Sequence, residues 1–361
     1  MEIKVTRTTA PLEKPLEAEK AGTLGFGNYF SDHMFLMEYD EGIGWHDARV
    51  EPYHNLSIDP AASVLHYGQE IFEGMKAYRT KEDEILFFRP LMNAARWNQS
   101  AKRMCMPTME PEMYMEALQA VVDVDRDWTP HAYGTSLVLR PAMIALEKSL
   151  GVHPAKKYLF FIICSPSGAY YKNGMAPVSI YVEEEYIRAA AGGTGYAKCG
   201  GNYAGSMLAG EKAEEMGYDQ VLWLDGVERK YIEEVGSMNM MFVIDDTIIT
   251  APLAGTILPG VTRNSILTLA ADAGWKVEER KLSIDEVYQA AHEGRLNEAF
   301  GTGTAAVVSP VGKLCWRGEE LVINGGKIGP KAQYLFDKLL GIQLGNSEDV
   351  YGWTKVCERK Y

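Results

Sequence analysis

Residues 192–203 hold five glycines around one lysine, Lys198, with Gly200, Gly201, Asn202 and Tyr203 directly after it. Glycine admits positive φ and close backbone approach, so this lysine sits in a wound or mobile loop that a ligand can reach. The stretch has neither the G-x-G-x-x-G spacing of a dinucleotide fingerprint nor the Gly-Lys-Ser/Thr of a Walker loop. What remains is a nucleophilic lysine that forms a Schiff base with a carbonyl group. The competing reading is a surface loop with an incidental lysine, and glycine content alone does not separate the two.

Four further groups of residues stand out. Gly260, Val261, Thr262 and Arg263 precede a helical stripe of Ile266, Leu269 and Ala270. A helix starting there offers free N–H groups and a positive dipole end to a phosphate, although Thr262 could equally serve only as a cap. Arg96, Ser100 and Arg103 fall on one side of a helical segment at three- and four-residue spacing. Gly301 to Ala306 make a second glycine-rich turn, and Glu228, Glu233 and Glu234 form an acidic cluster that by itself reads as surface.

The elements that must position these groups are short. Residues 33–39 read as a strand, and 75–79 with 85–89 as a hairpin around Lys81, Glu82 and Asp83. A helix is expected over 93–104, and another from Pro111 to Val124. Residues 137–139 and 158–164 are apolar runs of buried-strand length, and 178–183 alternates like a strand. A helix begins near Ala204 and closes at Gly217 as its C′ residue. Residues 221–224 are a strand, 240–244 pair with 247–250 across Asp245 and Asp246, and Ser283 to Glu286 match a capping box. Residues 1–21 read as an extended arm. Pro, Gly, Ser and Asn collect over 165–177 without an apolar period, which divides the chain into a domain 1–165, a connecting loop 166–177 and a domain 178–361.

Composition narrows the class. A chain of 361 residues suits two domains, and 47% hydrophobic with 24% charged residues fits a soluble globular protein. A net charge of −13 argues against nucleic acid and anionic membrane as partners. No apolar run approaches the roughly 18 residues of a membrane span, and no basic-then-apolar pattern opens the chain. The five cysteines are scattered without a C-x-x-C pair, and the seven histidines lack H-x-x-x-H spacing. This pattern fits a reducing cytoplasm and no metal.

Read in order, Lys198-Cys199-Gly200-Gly201-Asn202-Tyr203, Gln220-Val221-Leu222-Trp223-Leu224-Asp225, Glu233-Glu234-Val235-Gly236-Ser237-Met238-Asn239 and Leu258-Pro259-Gly260-Val261-Thr262-Arg263 resemble the branched-chain amino-acid aminotransferases. Leu65-His66-Tyr67-Gly68 and Phe72-Glu73-Gly74 add to the likeness, which runs from about residue 22 to about 317. The resemblance implies a two-domain α/β (α+β) enzyme of fold type IV with pyridoxal 5′-phosphate between the domains, working as a homodimer. It implies that Lys198 bonds the cofactor aldehyde, that Arg96, Val261 and Thr262 bind its phosphate, and that Thr304 also borders it. Glu234 is implied as partner of the pyridine nitrogen and Tyr203 of the phenolic oxygen. The Thr304 hydroxyl and Ala305 N–H are implied to take the substrate α-carboxylate. Phe26, Tyr67, Phe72, Tyr170 and Ser237 are implied to line the side-chain pocket, with Arg140 close by. The implied substrates are branched-chain L-amino acids, 2-oxoglutarate and glutamate.

Departures from the family pattern are confined to the pocket and one thiol pair. Ser237 stands for a threonine, Val138 for a tyrosine, and Ala306 and Ser309 for a Cys-x-x-Cys of some relatives. Two rivals remain at this level: a D-amino-acid aminotransferase or aminodeoxychorismate lyase of the same fold, and a non-catalytic binder of a phosphorylated ligand.

Overall fold

Strands dominate because the apolar runs are short, rich in β-branched and aromatic residues, and cut by turn residues. The computed structural model describes residues 1–170 and 175–361. Met1–Lys172, Ala197–Gly200 and Gly341–Tyr361 form one unit, and Asn173–Tyr196 with Gly201–Leu340 form the other. The expected connecting loop, 166–177, includes residues 171–174, which lie outside those described.

The first unit is a nine-stranded sheet in the order Lys4–Val5, Gly44–Pro52, His33–Asp40, Lys157–Ser167, Ser136–Ala145, Met75–Arg79, Ile85–Phe88 and Thr354–Val356, with Glu70–Phe72 also paired to Ser136–Ala145. Only the first pair is parallel. The helices Pro90–Arg103 and Pro111–Val124 each start on proline, whose missing N–H costs nothing in a first turn. Their apolar faces bury Trp97, Leu118 and Val121 in one core with Phe35, Phe87 and Phe160. The N-terminal arm is partly structured: Lys4–Val5 extends the sheet, and Leu16–Lys20 is helical.

The partition at 178–361 needs correction. The strand Thr354–Val356 covers the open edge of Ile85–Phe88, and the N–H groups of Lys360 and Tyr361 donate to the Asp123 carboxylate at 2.5 and 2.7 Å. An uncovered edge strand would leave its backbone groups unpaired, so the last residues join the first unit. Ala197–Gly200, which carry the lysine, also belong there, tied down by Phe72 N–H to Lys198 O (3.0 Å) and Lys198 N–H to Ser100 Oγ (2.8 Å).

The second unit closes on itself. Ile232–Val235, Gln220–Leu224, Val178–Glu183, Val307–Trp316, Leu296–Gly303 and Met238–Ile244 pair in sequence, and the last pairs back to the first. Closure removes two sheet edges. Thr247–Thr250 and Val277–Glu279 extend one side, and Glu319–Val322 pairs with Val307–Trp316. Asp245 and Asp246 both take positive φ, 48° and 61°, as a two-residue hairpin turn between Met238–Ile244 and Thr247–Thr250 requires. The helix Met207–Glu215 stops two residues before Gly217, which adopts φ 84°. Ser283 caps Ile284–His292 through the Glu286 N–H, but the Glu286 carboxylate turns to Arg280 rather than completing the capping box.

Among the described residues no helix is long and apolar enough to cross a membrane, and no group of His, Cys, Asp and Glu could hold a metal ion.

Candidate active site

In the first unit the half-buried Lys198 lies with its Nζ 4.9 Å from the centroid of the Phe72 ring. The Arg140 guanidinium also sits 4.9 Å from that centroid. Residue 72 leads into Glu73, fully buried, whose carboxylate accepts from Arg96 Nε (2.7 Å), Arg96 Nη2 (2.8 Å) and Asn93 Nδ2 (2.8 Å). Burial works to raise the Glu73 carboxyl, but Arg96, Lys198 and Asn93 outweigh it and hold it below the ordinary value. Asn93, Arg96 and Ser100 come off one face of Pro90–Arg103, so a single helix presents the arginine and supports the lysine backbone.

The other pocket candidates of this unit are less enclosed. Phe26, Tyr67 and Tyr170 are exposed, and the Tyr67 hydroxyl donates to Leu150 O. Lys76 is buried on Met75–Arg79 and pairs in register with Val138, two residues before Arg140 on the same strand face. Burial lowers its amine to about 8.

In the second unit Glu234, Tyr203, Ser237 and Leu258 line a cavity of about 590 Å³ together with Arg188 and Trp223. The buried Glu234 carboxylate accepts from Asn239 Nδ2 (2.9 Å) and Leu258 N–H (3.2 Å) and forms an ion pair with Arg188 Nε. Its neighbour Glu233 takes the Thr256 hydroxyl at 2.6 Å, and burial pushes its carboxyl up. The adjacent acids thus meet different surroundings: Glu234 has an arginine partner, while burial works against the charge of Glu233. Tyr203 stands on the short helix Gly200–Ala204, and Ser237 is exposed at the turn between Ile232–Val235 and Met238–Ile244.

The helix Val261–Asp272 begins at Gly260, which bears no side chain to cap it. Thr262 therefore lies inside the first turn, and its reading as the cap is corrected. A Cβ at Gly260 would meet Asn239 Oδ1 and come within 3.2 Å of Arg263 Cβ, so a bare backbone is needed there. Arg263 points elsewhere, donating to Ala251 O (2.9 Å) and Glu279 (2.6 Å). Thr304 and Ala305 form the turn from Leu296–Gly303 into Val307–Trp316. Val307 closes that turn at φ 63°, a left-handed conformation costly for a β-branched residue and typical of functional sites.

A family model described as amino-transferase class IV matches residues 70–314. The chain belongs to this family. It is 52% identical over 352 residues to branched-chain-amino-acid aminotransferase 2 of Bacillus subtilis (strain 168), covering 98% of this chain and 95% of that one. The crystal structure of the Escherichia coli branched-chain amino acid aminotransferase superposes with a TM-score of 0.76 at 26% identity, covering 91% of this chain and 99% of that one. The T.th. branched-chain amino acid aminotransferase, complexed with N-(5′-phosphopyridoxyl)-L-glutamate, gives a TM-score of 0.73 at 29% identity, covering 89% and 98%.

The cofactor of the aminotransferase family is pyridoxal 5′-phosphate, and the residues present fit it. A buried carboxylate suits a protonated pyridine nitrogen, an uncapped helix start suits a phosphate, and a lysine with a supported backbone suits an aldehyde. The buried Thr302 hydroxyl, across the strand pair from Asn239, has no hydrogen-bond partner among the described residues. Sequence reasoning missed Arg188 and Lys76, whose surroundings are set by tertiary packing, and gave no role to Ser100 or Asn239. Glu73 stood inside a motif already noticed, without a role.

Proposed function

We infer that the protein moves the amino group of L-leucine, L-isoleucine or L-valine to 2-oxoglutarate, giving the branched 2-oxo acid and L-glutamate in a ping-pong reaction. The observation that carries this reading is the buried Glu234 carboxylate on the cavity, fixed by Arg188 and Asn239. Bound pyridoxal 5′-phosphate supplies an aldehyde for the amino group and a ring that accepts electrons from the substrate α-carbon.

Lys198 Nζ holds the aldehyde between turnovers, is displaced by the substrate amine, and then takes the proton from the substrate α-carbon. It acts as a base only once freed and uncharged, which a nearby positive charge favours. Glu234 keeps the proton on the pyridine nitrogen, and Tyr203 donates to the phenolic oxygen. Arg96 and the N–H groups of Val261 and Thr262 hold the phosphate, with Thr304 at its border. The Thr304 hydroxyl and Ala305 N–H receive the substrate α-carboxylate. Phe26, Tyr67, Phe72, Tyr170 and Ser237 border the side chain, and Arg140 reads the γ-carboxylate of glutamate.

The working form is a homodimer in the cytoplasm. Leu65, Leu150 and Val152 are exposed alongside Tyr67, and an apolar surface of that kind suits a second copy. A transamination panel over L-amino acids with 2-oxoglutarate, with D-alanine and aminodeoxychorismate as controls, tests the activity. Turnover of leucine, isoleucine and valine is expected, and preference for either control would overturn the reading.

A further inference from the structure

The assignment of Arg96 to the phosphate leaves open what aims its guanidinium. An arginine side chain has four rotatable bonds, and its planar fork recognises a phosphate only when that plane is fixed. Arg96 is buried, and both its Nε and Nη2 donate to Glu73 at 2.7 and 2.8 Å, a two-point contact that sets position and plane together.

Glu73 is itself held. Asn93 Nδ2 reaches its Oε2 at 2.8 Å, the Gly74 N–H reaches the same oxygen at 3.2 Å, and its own N–H donates to Pro141 O at 2.8 Å. Its carboxylate thus faces donors from the Pro90–Arg103 helix and from its own strand end. The Lys198 charge also favours the Glu73 anion. The Lys198 backbone hangs from Ser100, one helical turn beyond Arg96. A buried carboxylate with this many donors is a built anchor rather than a chance counter-ion.

We propose that Glu73 is a positioning residue for the cofactor phosphate: it fixes the plane of the Arg96 guanidinium, and so contributes to binding only when the ligand carries a phosphate. The proposal rests on the reading of Arg96 given above. It separates Glu73 from a residue that merely neutralises a buried arginine, because neutralisation alone supports the fold whatever ligand is present.

The test uses the full chain stripped of cofactor, titrated with pyridoxal 5′-phosphate and with pyridoxal, followed by cofactor absorbance. Both ligands offer the same aldehyde and ring, and only one carries the phosphate. Glu73→Gln keeps the shape and removes the charge. It is expected to weaken pyridoxal 5′-phosphate by roughly 10- to 100-fold, the range for a lost charge-assisted contact, and pyridoxal by less than about twofold. Asn93→Ser removes one bond to Glu73 and leaves both charges in place. It is expected to give a smaller loss of the same selectivity, and it carries the test if Glu73→Gln fails to fold. Equal losses on the two ligands, or none on either, in the variants that fold would overturn the assignment of Glu73. Arg96→Met is the reference: selective loss there with none in the Glu73 and Asn93 variants overturns Glu73 alone. Equal weakening of both ligands by Arg96→Met overturns the reading of Arg96 itself.

Discussion

Arg188 and Glu234 form a buried ion pair, and the same guanidinium donates to Thr256 O at 2.9 Å and Gly195 O at 3.1 Å. One side chain therefore ties the acidic strand to two loops of its unit. Gly195 must be bare for this, since a Cβ there would lie within 2.8 Å of the Thr256 carbonyl carbon. The pair gives a buried carboxylate a charged partner, without which burying its charge would be costly.

Glu234→Gln removes the anion and keeps the shape. The cofactor should still bind, while turnover falls by roughly two or more orders of magnitude because the ring nitrogen loses its proton partner. Glu233→Gln should leave turnover within about threefold, as the amide oxygen can still accept the Thr256 hydroxyl. Single-turnover rates on both variants decide. A large loss on Glu233→Gln with little on Glu234→Gln would exchange the two roles.

Lys198 is expected to carry the cofactor. Purified protein should be yellow, and borohydride should fix the cofactor to the peptide containing Lys198. Label on another lysine would sink the assignment. Lys198→Ala should abolish turnover and keep the fold, since the loop is held through its backbone by Ser100 and Phe72 rather than by the amine.

What the sequence disclosed and what it hid follow from the range of each interaction. The turn at Asp245 and Asp246, the Ser283 cap and the stop at Gly217 depend on residues a few positions apart, so local pattern reveals them. Lys198 was visible because its glycine setting is itself local. Arg188 was not, because its partner Glu234 lies far along the chain on Ile232–Val235 and nothing near Arg188 marks it. The return of Thr354–Val356 to the first sheet was hidden for the same reason: three residues carry no readable period, and only the open edge of Ile85–Phe88 explains their pairing.

Lys76 gives a pH dependence with a definite sign. Burial lowers its amine from 10.5 to about 8, so between those values the unfolded chain binds more protons than the folded one. Stability therefore rises with pH across that window, while below about 8 both states are charged and the full burial cost stands. Lys76→Met should be more stable than the parent at neutral pH, and the gap should narrow toward about pH 10. Denaturant midpoints at both pH values check this. A gap independent of pH would mean that the amine is not the cause.

Substrate choice is expected to turn on Arg140 and Val138. The pocket must take a branched aliphatic side chain in one half-reaction and the γ-carboxylate of glutamate in the other. Aromatic walls suit the first, each buried methylene contributing about 0.8 kcal/mol. The second needs donors, because an unpaired buried charge is prohibitively costly. Arg140 lies over Phe72, on the ring that Lys198 Nζ also approaches, and on the proposed reading this cation meets the substrate side chain. Arg140→Met should raise KM for glutamate and 2-oxoglutarate roughly 10- to 100-fold, the range for a lost charged hydrogen bond, and leave KM for leucine within about threefold. Equal losses on both substrates would mean that Arg140 supports the pocket rather than reading the carboxylate. Val138 sits two residues away on the same strand face, opposite Lys76, with a smaller side chain than the tyrosine of relatives. The room it leaves should admit methionine or phenylalanine at measurable rates, and Val138→Tyr should remove that activity while sparing valine. Strict restriction of the parent to the three branched substrates would show that another residue fills the space.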